Sequence, residues 1–168
     1  AFTLAVCIAA LVAGARFVGP ALREFALALA DDWNARIEEL TAVFDTALAR
    51  RLGVRGYFVR IAPPAGPGGE PALHRRLPIR NRIEAAPPAD EQIATDVLQL
   101  VRFGLRRADD PLIVDTVRAI DALLKVDTPC GSAWRRYSGD GYGEHEDGAP
   151  FDGTGCGRPW PLLAGERG

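Results

Sequence analysis

The residues best suited to chemistry lie between Trp134 and Gly168, in the stretch WRRYSGDGYGEHEDGAPFDGTGCGRPWPLLAGERG. From Ser138 to Gly157 there are glycines at 139, 141, 143, 148, 153, 155 and 157, five carboxylates and almost no aliphatic side chain. Glycine at that density lets neither a helix nor a strand persist, so the stretch reads as a structured loop. The rings of Trp134, Tyr137, Tyr142, Phe151 and Trp160 alternate there with Arg135, Arg136, Asp140, Glu144, Glu146, Asp147, Asp152 and Arg158. A solvated linker has no use for that mixture. A sugar-binding surface does, because flat rings cover the apolar faces of a pyranose while Arg, Asp and Glu pair with its hydroxyls.

Other chemistries fit these residues less well. Asp140, Glu144, Glu146, Asp147 and Asp152 are calcium-ligand types, but their spacing does not match the twelve-residue EF-hand loop, and no metal is expected. The glycines do not form a nucleotide loop: GxxxxGK[ST] is absent and the run does not follow a strand of a βαβ unit. Cys7, Cys130 and Cys156 are an odd set without CxxC spacing, in a chain with two histidines, and read as small buried or half-buried thiols. No cofactor is expected.

The elements that position such a loop belong to a chain of 168 residues, 48% hydrophobic and 25% charged, the composition of one globular domain or part of one. A net charge of -2 offers no basic face, so nucleic acid is not an expected partner. There is no Met, the sequence opens inside an apolar helical pattern and it stops where another helix begins, so we expect an internal piece of a longer protein. A signal-peptide reading of the opening lacks the basic flank, and Arg16 ends the apolar run short of the about 20 residues a membrane span needs.

Phe2 to Val18 is apolar on nearly every side and predicts a helix buried all round. After Gly19-Pro20, the residues Leu22, Phe25, Ala26, Leu29, Trp33, Ile37 and Leu40 recur at helical spacing. That pattern runs on raggedly through Phe44, Leu48 and Leu52 to a stop at Gly53. Gly56 to Ile61 reads as a short strand in a local hairpin or at an edge. A Pro/Gly-rich loop over 62–94 carries His74, Arg75, Arg76, Arg80 and Arg82, read as solvated. Thr95 is placed to cap a helix carrying Leu98, Val101 and Leu105, and Asp110-Pro111 to start one carrying Val114, Val117, Ile120 and Leu124. The two are expected to form an antiparallel pair joined at Ala108-Asp109. Five helical segments against one or two strand-like pieces exclude a parallel α/β fold and leave an all-α class.

Several stretches together resemble glycoside hydrolase family 15, the glucoamylases, glucodextranases and some bacterial trehalases. They are Arg136-Tyr137, the run Gly139 to Glu144, Gly157 to Leu163 and Gly165-Glu166-Arg167-Gly168. Upstream the likeness takes in Phe2 to Val6, Asp31 to Asn34, Tyr57 to Pro63, Leu100 to Leu105 and Leu123 to Thr128, so it spans nearly all of the chain outside Ala65 to Gln92. The resemblance implies the (α/α)6 barrel, twelve helices in two rings, of which residues 1–168 are one incomplete part whose structural partner is the rest of the barrel.

The resemblance also implies inverting hydrolysis of α-glucosidic bonds from a non-reducing end. One carboxylic acid protonates the leaving oxygen and one carboxylate activates a water, about 6.5–9.5 Å apart. In the family the acid lies just before the Phe-Thr-Leu-Ala-Val helix and the base well after Gly-Glu-Arg-Gly. No catalytic residue is therefore expected in this chain, although Glu144 and Glu146 invite that role. What carries over is binding of an α-glucan or α-glucoside oligosaccharide. Arg136 matches the Arg of the family's Arg-Tyr pair, Asp140 the acidic residue after it, and Trp160 the Trp opening the next helix. Two alternatives stay open: a trehalase or glucodextranase of the same family, and a non-catalytic carbohydrate-binding or regulatory relative of the same barrel.

Overall fold

In a computed structural model, residues 1–60, 76, 88–143, 145, 147–150, 152 and 155–167 are described. Most of the 62–94 loop, with His74, Arg75, Arg80 and Arg82, lies outside the described residues, as do Glu144, Glu146 and Phe151. The fold is mostly helical: α1 (Phe2–Gly14), α2 (Pro20–Ala35), α3 (Ile37–Thr41), α4 (Ala47–Leu52), α5 (Gln99–Arg102), α6 (Pro111–Leu124) and α7 (Pro161–Arg167). Two small antiparallel sheets join them, β1 (Ala42–Phe44) with β2 (Gly56–Phe58) and β3 (Lys125–Thr128) with β4 (Gly131–Trp134). Among the described residues no helix is long and apolar enough to cross a membrane.

The start and stop signals work where they are strongest. Asp110 caps α6 by accepting the Leu112 N–H at 2.8 Å, with Pro111 in the first turn. Gly53 ends α4 at φ 67°, a conformation in which a Cβ is disfavoured. The helical pattern of α2 ends at Arg36, so Ile37 belongs to a separate short helix. The ragged continuation through Phe44 is a strand, registered Ala42 to Phe58, Val43 to Tyr57 and Phe44 to Gly56. The strand reading at Gly56 thus finds its partner immediately upstream.

Three expectations change. Instead of burial all round, α1 sinks Ala5 and Ile8 and packs on α2 and α5, while Phe2, Val6 and Val12 face outward. Its near-uniform apolarity gives no preferred side, so its neighbours alone decide which face is covered. Thr95 does not cap a helix; it opens a 3₁₀ turn (Thr95–Leu98) ahead of the one-turn α5, and its hydroxyl donates to Arg136 O at 3.3 Å. With α5 so short, the expected helix pair gives way to α5 packing on α1 and α6 packing on β2. Phe58 N–H donates to Thr116 Oγ1 at 2.9 Å across that contact. The core runs through Ile8, Ile37, Tyr57, Ile93, Leu100 and Ile120, all buried. Tyr57 keeps its hydroxyl satisfied there, sharing a 2.8 Å hydrogen bond with Thr46 Oγ1 and donating to Asp90 O at 2.8 Å.

Candidate functional site

The loop after β4 is built on backbone pairing. Arg135 N–H donates to Leu124 O at 2.9 Å, continuing the β3–β4 hairpin. The next residues lie antiparallel to the buried segment Ile93-Ala94-Thr95: Thr95 N–H donates to Arg136 O at 3.0 Å and Ser138 N–H to Ile93 O at 2.8 Å. The backbone of Arg136 is thereby clamped between a hairpin and the core. The chain then turns through Gly139 at φ 64°, with Asp140 N–H returned to Tyr137 O at 3.2 Å.

That turn brings residues 136 and 140 together. Arg136 donates through Nε to Asp140 Oδ2 and through Nη2 to Oδ1, each at 2.7 Å, a two-toothed ion pair. Tyr142 N–H adds a third bond to Oδ1 at 3.0 Å. The Asp140 side chain is 0% exposed and the Arg136 side chain 32%. The hydrogen bonds to Asp140 hold the guanidinium above its ordinary pKa. Gly157 closes over the carboxylate from the far limb of the loop, its N–H donating to Asp140 O at 2.7 Å. A Cβ at 157 would collide with the Asp140 carboxylate, and one at 143 with Cys156 O, so both glycines are required by close approach.

Three rings lie close to this guanidinium. Tyr137, Tyr142 and Trp160 have their centroids 5.2, 5.1 and 6.0 Å from Arg136 Cζ, within cation–π range. Arg60 lies 4.7 Å over the Tyr137 ring, whose phenol pKa is pushed up chiefly by burial. Trp160 is 47% exposed and Tyr142 49%, so both offer ring surface to solvent beside a fixed positive charge. Trp160 reaches the cluster because its N–H donates to Trp134 O at 3.2 Å, after which α7 begins.

All three residues expected to bind sugar therefore meet in space. They differ in availability: Arg136 and Trp160 have open surface, whereas Asp140 is buried with both oxygens taken. Arg60 and the core segment that clamps Arg136 carry no sequence signal, because nothing in the spacing of residues 60, 93–95 and 136 says they meet. Trp33, on the apolar stripe of α2, is half-buried against the core. His145 Nε2 and Asp152 Oδ1 pair at 3.0 Å further along the loop. Among the described residues no group of three or more His, Cys, Asp or Glu side chains is assembled for a metal.

No family model matches the chain. It is 38% identical over 139 residues to a glucoamylase from Clostridium sp. (strain G0005), an alignment covering 83% of this chain and 18% of that protein. Its fold superposes on a crystal structure of a bacterial glucoamylase complexed with acarbose with a TM-score of 0.85 and 34% identity, over 98% of this chain and 24% of the other. The described helices are thus part of an (α/α)6 barrel, and the chain spans less than a quarter of the length of either relative. A sequence likeness over most of the chain and a near-complete structural overlay agree, and over its length the chain is glucoamylase-like, similar to a segment of glycoside hydrolase family 15.

Proposed function

We propose that this chain is the substrate-binding part of an inverting, exo-acting α-glucoside hydrolase of the glucan 1,4-α-glucosidase type, which releases glucose from non-reducing ends. The observation that carries the reading is the Arg136 guanidinium, pinned by buried Asp140 and ringed by Tyr137, Tyr142 and Trp160. A planar fork fixed in direction meets adjacent hydroxyls, and rings beside it cover the apolar face of the same sugar. The family likeness and the acarbose bound by the structural relative support an oligosaccharide as the ligand. Arg136 and Trp160 touch the sugar in this proposal. Asp140 acts through Arg136, since its oxygens are engaged and covered.

Residues 1–168 then form one part of the barrel domain, and the remaining helices are its structural partner. The general acid and general base come from outside this chain, and its own residues bind and orient the glucosyl unit between them. The test is Arg136→Lys in the full-length polypeptide carrying this segment, assayed on maltose. Lys keeps the charge and loses the fork, so KM is expected to rise and kcat/KM to fall with folding intact. Unchanged kinetics removes Arg136 from the site. Maltose binding without glucose release points instead to a non-catalytic carbohydrate-binding relative.

A further inference from the structure

Trp160 enters the ring cluster at the start of α7, a helix of seven residues. A helix of two turns does not hold its own position, so its anchors decide where Trp160 sits. Two anchors lie on one residue outside the cluster. Asp121, on α6, accepts from Arg167 Nη2 at 2.6 Å, from Arg167 Nε at 2.9 Å and from Trp134 Nε1 at 2.9 Å. The Arg167 guanidinium lies 5.8 Å from the centroid of the same Trp134 ring. The two elements that grip Trp160 are the two that Asp121 ties together. Trp134 supplies the carbonyl that receives the Trp160 N–H, while the Trp160 carbonyl accepts the N–H groups of Leu163 and Ala164 in α7. A further polar tie of α7 is at Glu166, which accepts from Gln99 Nε2 at 2.6 Å and Arg102 Nη1 at 3.3 Å, fastening the helix to α5.

We propose that Asp121 is a positioning residue for the sugar contact of Trp160: it holds the end of β4 and the end of α7 to α6, so that the ring faces the Arg136 guanidinium. This rests on the reading of Trp160 as a sugar-binding ring. Asp121 itself touches no substrate. An amide at this position keeps the shape but meets Arg167 with a donor where the carboxylate offered an acceptor. The fork then keeps only one of its two bonds, and α7 is free to pivot about Glu166.

The experiment compares Asp121→Asn, Trp160→Ala and the double variant in the full-length polypeptide, on maltose, well below each variant's Tm. Asp121→Asn is expected to lower kcat/KM about five- to tenfold, the net worth of one hydrogen bond, and to lower it less than about twofold when Trp160 is already Ala. Asp121→Glu, which keeps the charge, is expected to recover part of the loss. A residue that only stabilises the fold lowers Tm and leaves kcat/KM of the folded enzyme unchanged, and that result overturns the proposal. So do multiplicative effects of the two substitutions. If Trp160→Ala alone changes nothing, Trp160 is not a sugar contact, and the functional reading fails before this one. Where Asp121→Asn does not fold, Arg167→Lys, which keeps the ion pair and loses the fork, is compared with Trp160→Ala in the same way and with the same two overturning results.

Discussion

Replacing Asp140 by Asn tests whether the Arg136 fork works because it is held. The substitution changes little in volume and removes the charge from a side chain that is 0% exposed and accepts two 2.7 Å bonds from Arg136. An Asn amide oxygen keeps one of those bonds. Its NH2 group then faces the other guanidinium nitrogen, or the Tyr142 N–H if the amide is reversed. Breaking a fully buried ion pair costs about 3–5 kcal/mol. Here Arg136 is 32% exposed, so water takes over part of its solvation and the loss falls to about 2–3 kcal/mol of stability. The released fork samples several directions, so kcat/KM on maltose is expected to drop a further ~10-fold in molecules that remain folded. Urea unfolding reads the first number and steady-state kinetics in the full-length polypeptide the second. If Asp140 acts only through Arg136, the kinetic effect vanishes once Arg136 is Ala, a coupling of at least ~1 kcal/mol. Additive effects of the two substitutions would show that Asp140 meets the sugar on its own account and refute the reasoning.

The glycines offer a matched pair: Gly157→Ala drives a Cβ into the Asp140 carboxylate and is expected to cost about 1–3 kcal/mol and repeat the kinetic defect. Gly165→Ala, with nothing within 4 Å and a helical site in α7, is expected to be neutral or stabilising by up to ~1 kcal/mol in thermal melts. Burial pushes the Tyr57 phenol up to about 12, so its contribution is complete below the unfolded tyrosine pKa near ~10 and is lost as pH rises from there through about 12. Tyr57→Phe is expected to cost about 1–2 kcal/mol near neutrality and to flatten that alkaline decline in denaturation curves at pH 8 and 11. Leu98, Val101, Ile113, Val117 and Leu162 line an open groove of about 710 Å³, so the 168-residue chain made alone is expected to brighten an apolar-surface dye. Val117→Glu should dim that signal, and a dye response indifferent to it would move the apolar surface elsewhere.

What was legible in the sequence was local. Asp110-Pro111 and Gly53 announce helix ends through their own backbone chemistry, and both ends stand where they are written. The loop reading at 138–157 rests on glycine density, and the described residues there form turns, bends and a single bridge at Asp140. What was not legible depends on partners. The apolar faces of α1 look alike in sequence, and only the position of α2 and α5 makes Ala5 and Ile8 core while leaving Phe2 and Val12 outside. The β3–β4 hairpin was missed because Lys125-Val126-Asp127-Thr128 directly extends the pattern of α6, and its partner Gly131-Ser132-Ala133-Trp134 is poor in strand-forming side chains. The burial of Asp140 had no signal either: a carboxylate between two glycines reads as solvated until Gly157 is seen to cover it.

The same distinction explains how a loop without helix or strand serves as a binding surface. A ligand gains most from groups that lose no freedom on binding, and glycine-rich backbone starts with the most to lose. Here that freedom is removed at a few fixed points. Residues 136 and 138 are paired to the buried Ile93–Thr95 segment, Asp140 is held by Arg136, Tyr142 and Gly157, and Trp160 is stitched to Trp134. Each point uses a backbone amide or a charge-assisted bond, which side-chain packing in so aliphatic-poor a loop does not replace. The glycines at 143 and 157 are there because the two limbs approach too closely for a side chain, so the composition that argues against regular structure is also what lets the loop close. Arg136 and Trp160, far apart along the chain, are neighbours because the hairpin and α7 converge on α6. The ring cluster is in this sense built on the helical frame from two directions, which is why a carboxylate on α6 outside the cluster bears on what the cluster holds.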